Sequence, residues 1–136
     1  MPAFANIAAT DYGAHGVTPV TNTFVPSSID SNGVATYVVA GATSLDDRKL
    51  TLSKRIVPDS GRIKMTLKVQ VPVTATETIN GVSNPKLLRT AFAELTLTAD
   101  AASTLQERED IIQLLRTCCE STDQPWAVWT LNGNVY

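Results

Sequence analysis

The chain has 136 residues, enough for one domain with a modest core, and its 43% hydrophobic and 18% charged residues are those of an ordinary globular protein, not of a disordered polymer. No apolar run approaches the length that spans a bilayer, and no charged-then-apolar leader opens the chain, so no membrane partner is expected. The formal net charge of −2 argues against a nucleic-acid binder, but its distribution reverses that argument: seven of the eleven Lys and Arg lie between Arg48 and Lys68, where Asp59 is the only acid.

Residues 1–25 hold two stretches of strand-like composition, "FANIAAT" and "VTNTFV", around Gly13 and Gly16, and predict a hairpin. "SSIDSNG" follows as a turn, with Asn32-Gly33 as its strongest signal, and "VATYVVA" (34–40) reads as a strand. In "RKLTLSKRIV", Leu50, Leu52 and Ile56 alternate with Lys49, Thr51, Ser53 and Arg55, while Lys54 interrupts the apolar side. "PDSG" turns the chain into "RIKMTLKVQV", whose Met65, Leu67, Val69 and Val71 oppose Lys64, Thr66, Lys68 and Gln70. The segment 74–85, poor in apolar residues and containing a second Asn-Gly, is expected to be a long polar loop. In "LLRTAFAELTLT" (87–98), Ala91, Ala93, Leu95 and Leu97 are assigned to the core side, and Phe92, Glu94, Thr96 and Thr98 to the other.

The period then changes. Ser103-x-x-Gln106 reads as a capping box, Glu107, Glu109 and Asp110 suit the positive end of a helix dipole, and Ile111, Ile112, Leu114, Leu115, Cys118 and Cys119 form an apolar stripe. A second short helix is predicted from Asp123, with Pro125 in its first turn and Trp126 and Trp129 on one side. The adjacent cysteines are expected to be buried thiols, not a disulfide. Antiparallel strands followed by two helices make an α+β protein. Two short helices cover only part of a five-stranded sheet, so a second copy is expected to complete the core.

Catalytic and metal chemistry find little support. His15, the single histidine, sits in the turn "GAHG"; no Cys or His partners have metal-ligand spacing, no serine or cysteine has a base close in sequence, and no Gly-rich phosphate loop opens a helix. No enzyme, cofactor or metal is expected. What remains is a polar face: Lys49, Thr51, Ser53 and Arg55 on one strand, Lys64, Thr66, Lys68 and Gln70 on the next, and the aromatic Phe92 on a third. Cations engage phosphates, hydroxyls bond base edges and a ring stacks on bases, so these residue types together point to single-stranded RNA. A solvated basic surface is the alternative.

The stretches "LKVQVPVTATETINGV" and "NPKLLRTAFAELTLT", with the upstream "NGVATYVVAG" and the terminal "NGNVY", resemble the coat proteins of the single-stranded RNA bacteriophages, the leviviruses. The resemblance runs from about residue 30 to the end and is most specific between Lys64 and Leu97. It implies an N-terminal β-hairpin, a five-stranded antiparallel sheet and two C-terminal helices, with two chains interlocked over a ten-stranded sheet. It also implies a homodimer assembling into an icosahedral capsid around the RNA genome in the cytoplasm of a bacterial host. The inner sheet surface would also bind an RNA hairpin operator as a translational repressor, and the 74–85 segment would meet its copies at the symmetry axes. By resemblance, Val34, Thr51, Ser53, Thr66 and Lys68 form a pocket for an unpaired adenine, and Lys49, Arg55 and Lys64 contact phosphates. Phe92 stands where the family commonly has a stacking tyrosine, and Glu94 where it has Asn or Asp. Two rival readings remain: a cellular dimeric RNA-binding regulator that forms no shell, and a small hydrolase built on Glu94 and His15.

Overall fold

Strict alternation of apolar and polar residues favours an extended chain with one buried face, and the structure, a computed structural model, is built on that pattern. It describes residues 5–11 and 20–120. Strands β1 (Ile7–Asp11), β2 (Val20–Ile29), β3 (Ala35–Val39), β4 (Arg48–Ile56), β5 (Ile63–Ile79) and β6 (Val82–Ala99) form one six-stranded sheet in chain order, followed by helix α1 (Leu105–Glu120). Each pair from β1–β2 to β4–β5 is antiparallel. The N-terminal hairpin is therefore part of the sheet, since β2 pairs with both β1 and β3. The turn expected around Gly13, Gly16 and His15, the second helix with Trp126 and Trp129, and the side chain of Cys119 lie outside the described residues.

One face of the sheet carries the core. Phe24, Tyr37 and Leu50 are buried, with Ile7, Ala35, Val39, Leu52, Leu67 and Val69 packed against them. The registers Tyr37↔Leu50 and Leu50↔Val69 place these side chains in one row across three strands. Lys54 lies opposite Met65, is exposed, and marks the end of β4 where this face meets solvent. At the β2–β3 pair a register shift between Pro26 and Ser28 inserts one residue. Ser27 to Ile29 thus belong to β2, and the turn begins only at Asp30, whose carboxylate accepts from the backbone N–H of Asn32 (2.8 Å) and of Val34 (2.9 Å).

Three local expectations are corrected. Residues 74–85 are not a loop: β5 runs to Ile79 and β6 starts at Val82, leaving Asn80-Gly81 as a two-residue turn. Both turn residues have positive φ, 51° and 80°, as a type I′ hairpin requires. Threonines supply strand propensity without apolar bulk, which is why polarity misled. The helix cap is also displaced by one residue. Thr104 Oγ1 accepts from Glu107 N–H (3.2 Å) and Glu107 Oε2 from Thr104 N–H (2.8 Å), so the box is Thr104-x-x-Glu107. Ser103 instead donates its hydroxyl to the Asp100 carbonyl at 2.6 Å. Third, the Cys118 thiol is exposed in the single chain, not buried.

Within the sheet unit, the β3–β4 connection is tied down by its acids. Asp47 Oδ1 accepts from Gly41 N–H (3.0 Å), and Asp46 accepts from the hydroxyls of Thr43 and Thr74. A Cβ on Gly41 would collide with Asp46, lying 2.8 Å from its backbone carbon, so only glycine fits there.

Candidate nucleic-acid interface

The β4–β5 register joins the two polar rows residue by residue: Lys49 opposite Gln70, Thr51 opposite Lys68, Ser53 opposite Thr66, and Arg55 opposite Lys64. Directly opposed residues share a face, so the expected surface exists as one ladder of cations, hydroxyls and an amide. On the other side of β4, Thr36 lies opposite Thr51 and Val38 opposite Lys49, which extends the same face onto β3. Lys49, Arg55 and Lys68 are exposed, whereas Thr51, Ser53, Lys64 and Thr66 are half-buried between them. Long cations thus rise above a floor of hydroxyls.

Val34 is half-buried, one residue before β3, and is held by the Asp30 carboxylate and by a 3.0 Å backbone bond from Asp30 N–H to its carbonyl. Its place on the face comes from this turn and not from a strand.

Strand β6 completes the surface beside β5. Phe92 is 75% exposed, an unusual position for a phenylalanine. Leu95 and Leu97 are half-buried and Thr96 and Thr98 exposed, as their alternation predicts, whereas Ala91 and Ala93, expected on the core side, are exposed in the single chain, since this stretch of β6 lies beyond the buried row. A groove of about 510 Å³ runs between β4, β5 and β6, with Lys49, Thr51, Lys68, Gln70, Phe92 and Glu94 in its lining. Of the ten candidate residues, five therefore line a single depression: Lys49, Thr51, Lys68, Phe92 and Glu94. Ser53, Thr66, Arg55 and Lys64 continue along the ladder beyond it.

One contact was not legible in the sequence. Lys68 Nζ lies 3.1 Å from Glu94 Oε2, with side chains 59% and 54% exposed. The two residues are 26 positions apart, and only the pairing of β5 with β6 brings them together. Among the described residues no cluster of three or more His, Cys, Asp or Glu side chains could hold a metal ion.

Comparison with known proteins gives a consistent result. The levivirus coat protein family model matches residues 2–131. The capsid protein of Pseudomonas phage PRR1 is 35% identical over 98 residues, covering 72% of this chain and 73% of the relative. That of Enterobacteria phage f2 is 29% identical over 114 residues, covering 84% and 86%. Among solved structures, the virus-like particle of bacteriophage ESE058 superposes with a TM-score of 0.82 at 18% identity, covering 99% of this chain and 100% of the other. The bacteriophage GA capsid protein does so with 0.77 at 24% identity, covering 98% and 97%. An unassembled bacteriophage coat protein dimer, described as RNA-binding, gives 0.66 at 20% identity, covering 98% and 97%. With the family model spanning nearly the whole chain and the fold superposing on solved capsid proteins, the protein belongs to the levivirus coat protein family.

Proposed function

We propose that this capsid protein works as a homodimer whose copies assemble into a closed icosahedral shell, with the polar face of the sheet turned towards a single-stranded RNA genome. The observation that carries the RNA reading is the β4–β5 ladder with Phe92 beside it. Cations at its rim suit phosphates, the hydroxyl floor suits base edges, and the exposed ring suits stacking. Lys49, Arg55 and Lys64 are assigned to phosphates, and Val34, Thr51, Ser53, Thr66 and Lys68 to a pocket for an unpaired adenine of a hairpin operator. Binding that hairpin would make the protein a translational repressor as well as a shell subunit, assembled in the host cytoplasm and ending in the virion.

The apolar surfaces support dimerisation. Ile111, Ile112, Leu114 and Leu115 of α1 are exposed in the single chain, and so are Leu87 and Leu88 of β6. Apolar residues repeated at helical spacing are stable when covered. A second copy supplies the cover: helices of each chain over the partner's sheet, and strands β2–β6 of each, apart from the outer hairpin strand β1, joined into ten. The hydrolase reading needs His15, which lies outside the described residues.

Electron microscopy of the purified recombinant protein, combined with recovery of nuclease-protected RNA, tests the whole reading. Uniform closed particles containing RNA are expected. A dimer that binds RNA and never closes into particles would instead establish the regulator reading.

A further inference from the structure

Glu94 is the one acid in a groove lined also by two lysines, the Thr51 hydroxyl, the Gln70 amide, the Phe92 ring and the apolar Val69 and Ala93, and a carboxylate there repels phosphate. Its pairing with Lys68 at 3.1 Å is exposed on both sides, and exposed pairs add little to folding stability. The pair is better explained by what it offers a ligand. Nζ of Lys68 is a donor, and both carboxylate oxygens of Glu94 are acceptors only. Two positions back on the same strand, on the same face, stands the Phe92 ring, 75% exposed.

We infer that Phe92 and Glu94, with Lys68 shared from the edge of the adenine pocket through another of its three donors, form a base-reading subsite selective for an unpaired guanine. The inference rests on the RNA reading above and deepens it. A base stacked on Phe92 turns its edge along the strand towards Glu94. The guanine edge carries an acceptor, O6, followed by two donors, N1–H and the N2 amine. The ion pair presents the complement in the same order: one donor, then two acceptors. Lys68 reaches O6 while the two carboxylate oxygens take N1–H and the N2 amine, and the Lys68–Glu94 contact is kept. Adenine and cytosine each offer a single amino group to the carboxylate. Uracil offers one N–H between two carbonyls, so one carboxylate oxygen faces a carbonyl. A phosphate would have to draw Lys68 away and then sit beside Glu94. Guanine alone uses every polar group of the subsite without breaking the pair.

The test is selection from a pool of RNA hairpins with randomised loops, using the disassembled parent protein and the Glu94→Gln variant at low salt. Parent-selected loops should share one unpaired guanine. Replacing that guanine with inosine, which lacks only the N2 amine, should weaken binding roughly ten-fold or more, as befits a hydrogen bond to a charged group. Glu94→Gln should reduce the guanine–inosine difference to about two-fold and weaken binding of the guanine loop, because its hydrogen bonds to a charged carboxylate are lost. Parent loops without a shared guanine, or a guanine–inosine difference unchanged in the variant, would overturn the subsite while leaving the RNA reading intact. A parent that retains no RNA from the pool would overturn both.

Discussion

At the scale of single residues, exposure separates side chains that fold the protein from those that serve its surface. Leu50 is 6% exposed at the centre of the core row and Phe92 is 75% exposed on the opposite side of the sheet. Leu50→Ala is expected to lower folding stability by about 2–5 kcal/mol through lost burial and a cavity. Phe92→Ala should leave stability nearly unchanged and cost about 1–3 kcal/mol of RNA affinity. Denaturant unfolding and RNA titration on the same two variants check this, and a large stability loss for Phe92→Ala with unaltered affinity would return the ring to a packing role. Phe92→Tyr should be tolerated, since the ring is kept and the added hydroxyl reaches solvent or a phosphate. The placement of Phe92 was legible from the alternation that continues into the half-buried Leu95 and Leu97, although Ala91 and Ala93 are themselves exposed. The partner of Glu94 was not, because a carboxylate's neighbour on the next strand depends on register, which no local pattern encodes.

At the scale of elements, the β5–β6 hairpin is the clearest correction. Its distal part is exposed from Ala75 through Arg89 and is bound across the strands by Lys86–Glu77 at 3.3 Å and by Thr78 and Ser83 hydroxyls 3.5 Å apart. Such contacts are weak, so the geometry rests on the hydrogen-bonded pairing of β5 with β6 and on the turn. Gly81 adopts φ 80°, a conformation in which a β-branched side chain is strained. Gly81→Val should therefore disturb the hairpin at a cost of about 1–3 kcal/mol, visible as loss of hydrogen-exchange protection in residues 76–85 while the Phe24–Tyr37–Leu50 core stays protected. Removing the distal rungs and reconnecting the strands with Asn-Gly should leave a folded dimer, because none of those residues belongs to the core. Closed particles should then fail to form or become less stable, as read by sedimentation and microscopy. Particles as robust as the parent's would deny the hairpin a role in assembly. At the helix, Glu107→Ala removes one half of the cap and should cost about 1 kcal/mol.

At the scale of the whole molecule, the single chain buries little. Among the described residues only Phe24, Tyr37, Leu50 and Ala99 are buried hydrophobics, while fifteen large ones are exposed. If a second copy completes the core, the unfolding midpoint of disassembled dimers rises with protein concentration, since association is linked to folding. A midpoint independent of concentration, with a monomeric mass, would contradict the dimer. The field of the basic segment acts at the same scale. With about four phosphates neutralised at about −0.7 in slope each, RNA affinity should fall roughly fifty-fold between about 50 and 200 mM salt. A flat salt response in a filter-binding series would reduce the face to a solvated surface.

The sequence alone was sufficient for whatever depends on a residue's own strand or helix. Alternation assigned the core and polar faces of β4 and β5 and the position of Phe92 on β6, Asn32-Gly33 marked a turn, and the clustering of seven cations between Arg48 and Lys68 located the charged face. Those signals are local, because side-chain direction in a strand has period two whatever its neighbours are. Only the tertiary structure could decide what crosses strands. It opposed Arg55 to Lys64 and Thr51 to Lys68, extended β5 and β6 through a polar stretch, and drew Lys68 and Glu94 to 3.1 Å. Register is set by hydrogen-bonded pairing between distant segments, and that pairing turned a row of suitable residues into a groove with a donor, two acceptors and a ring in place.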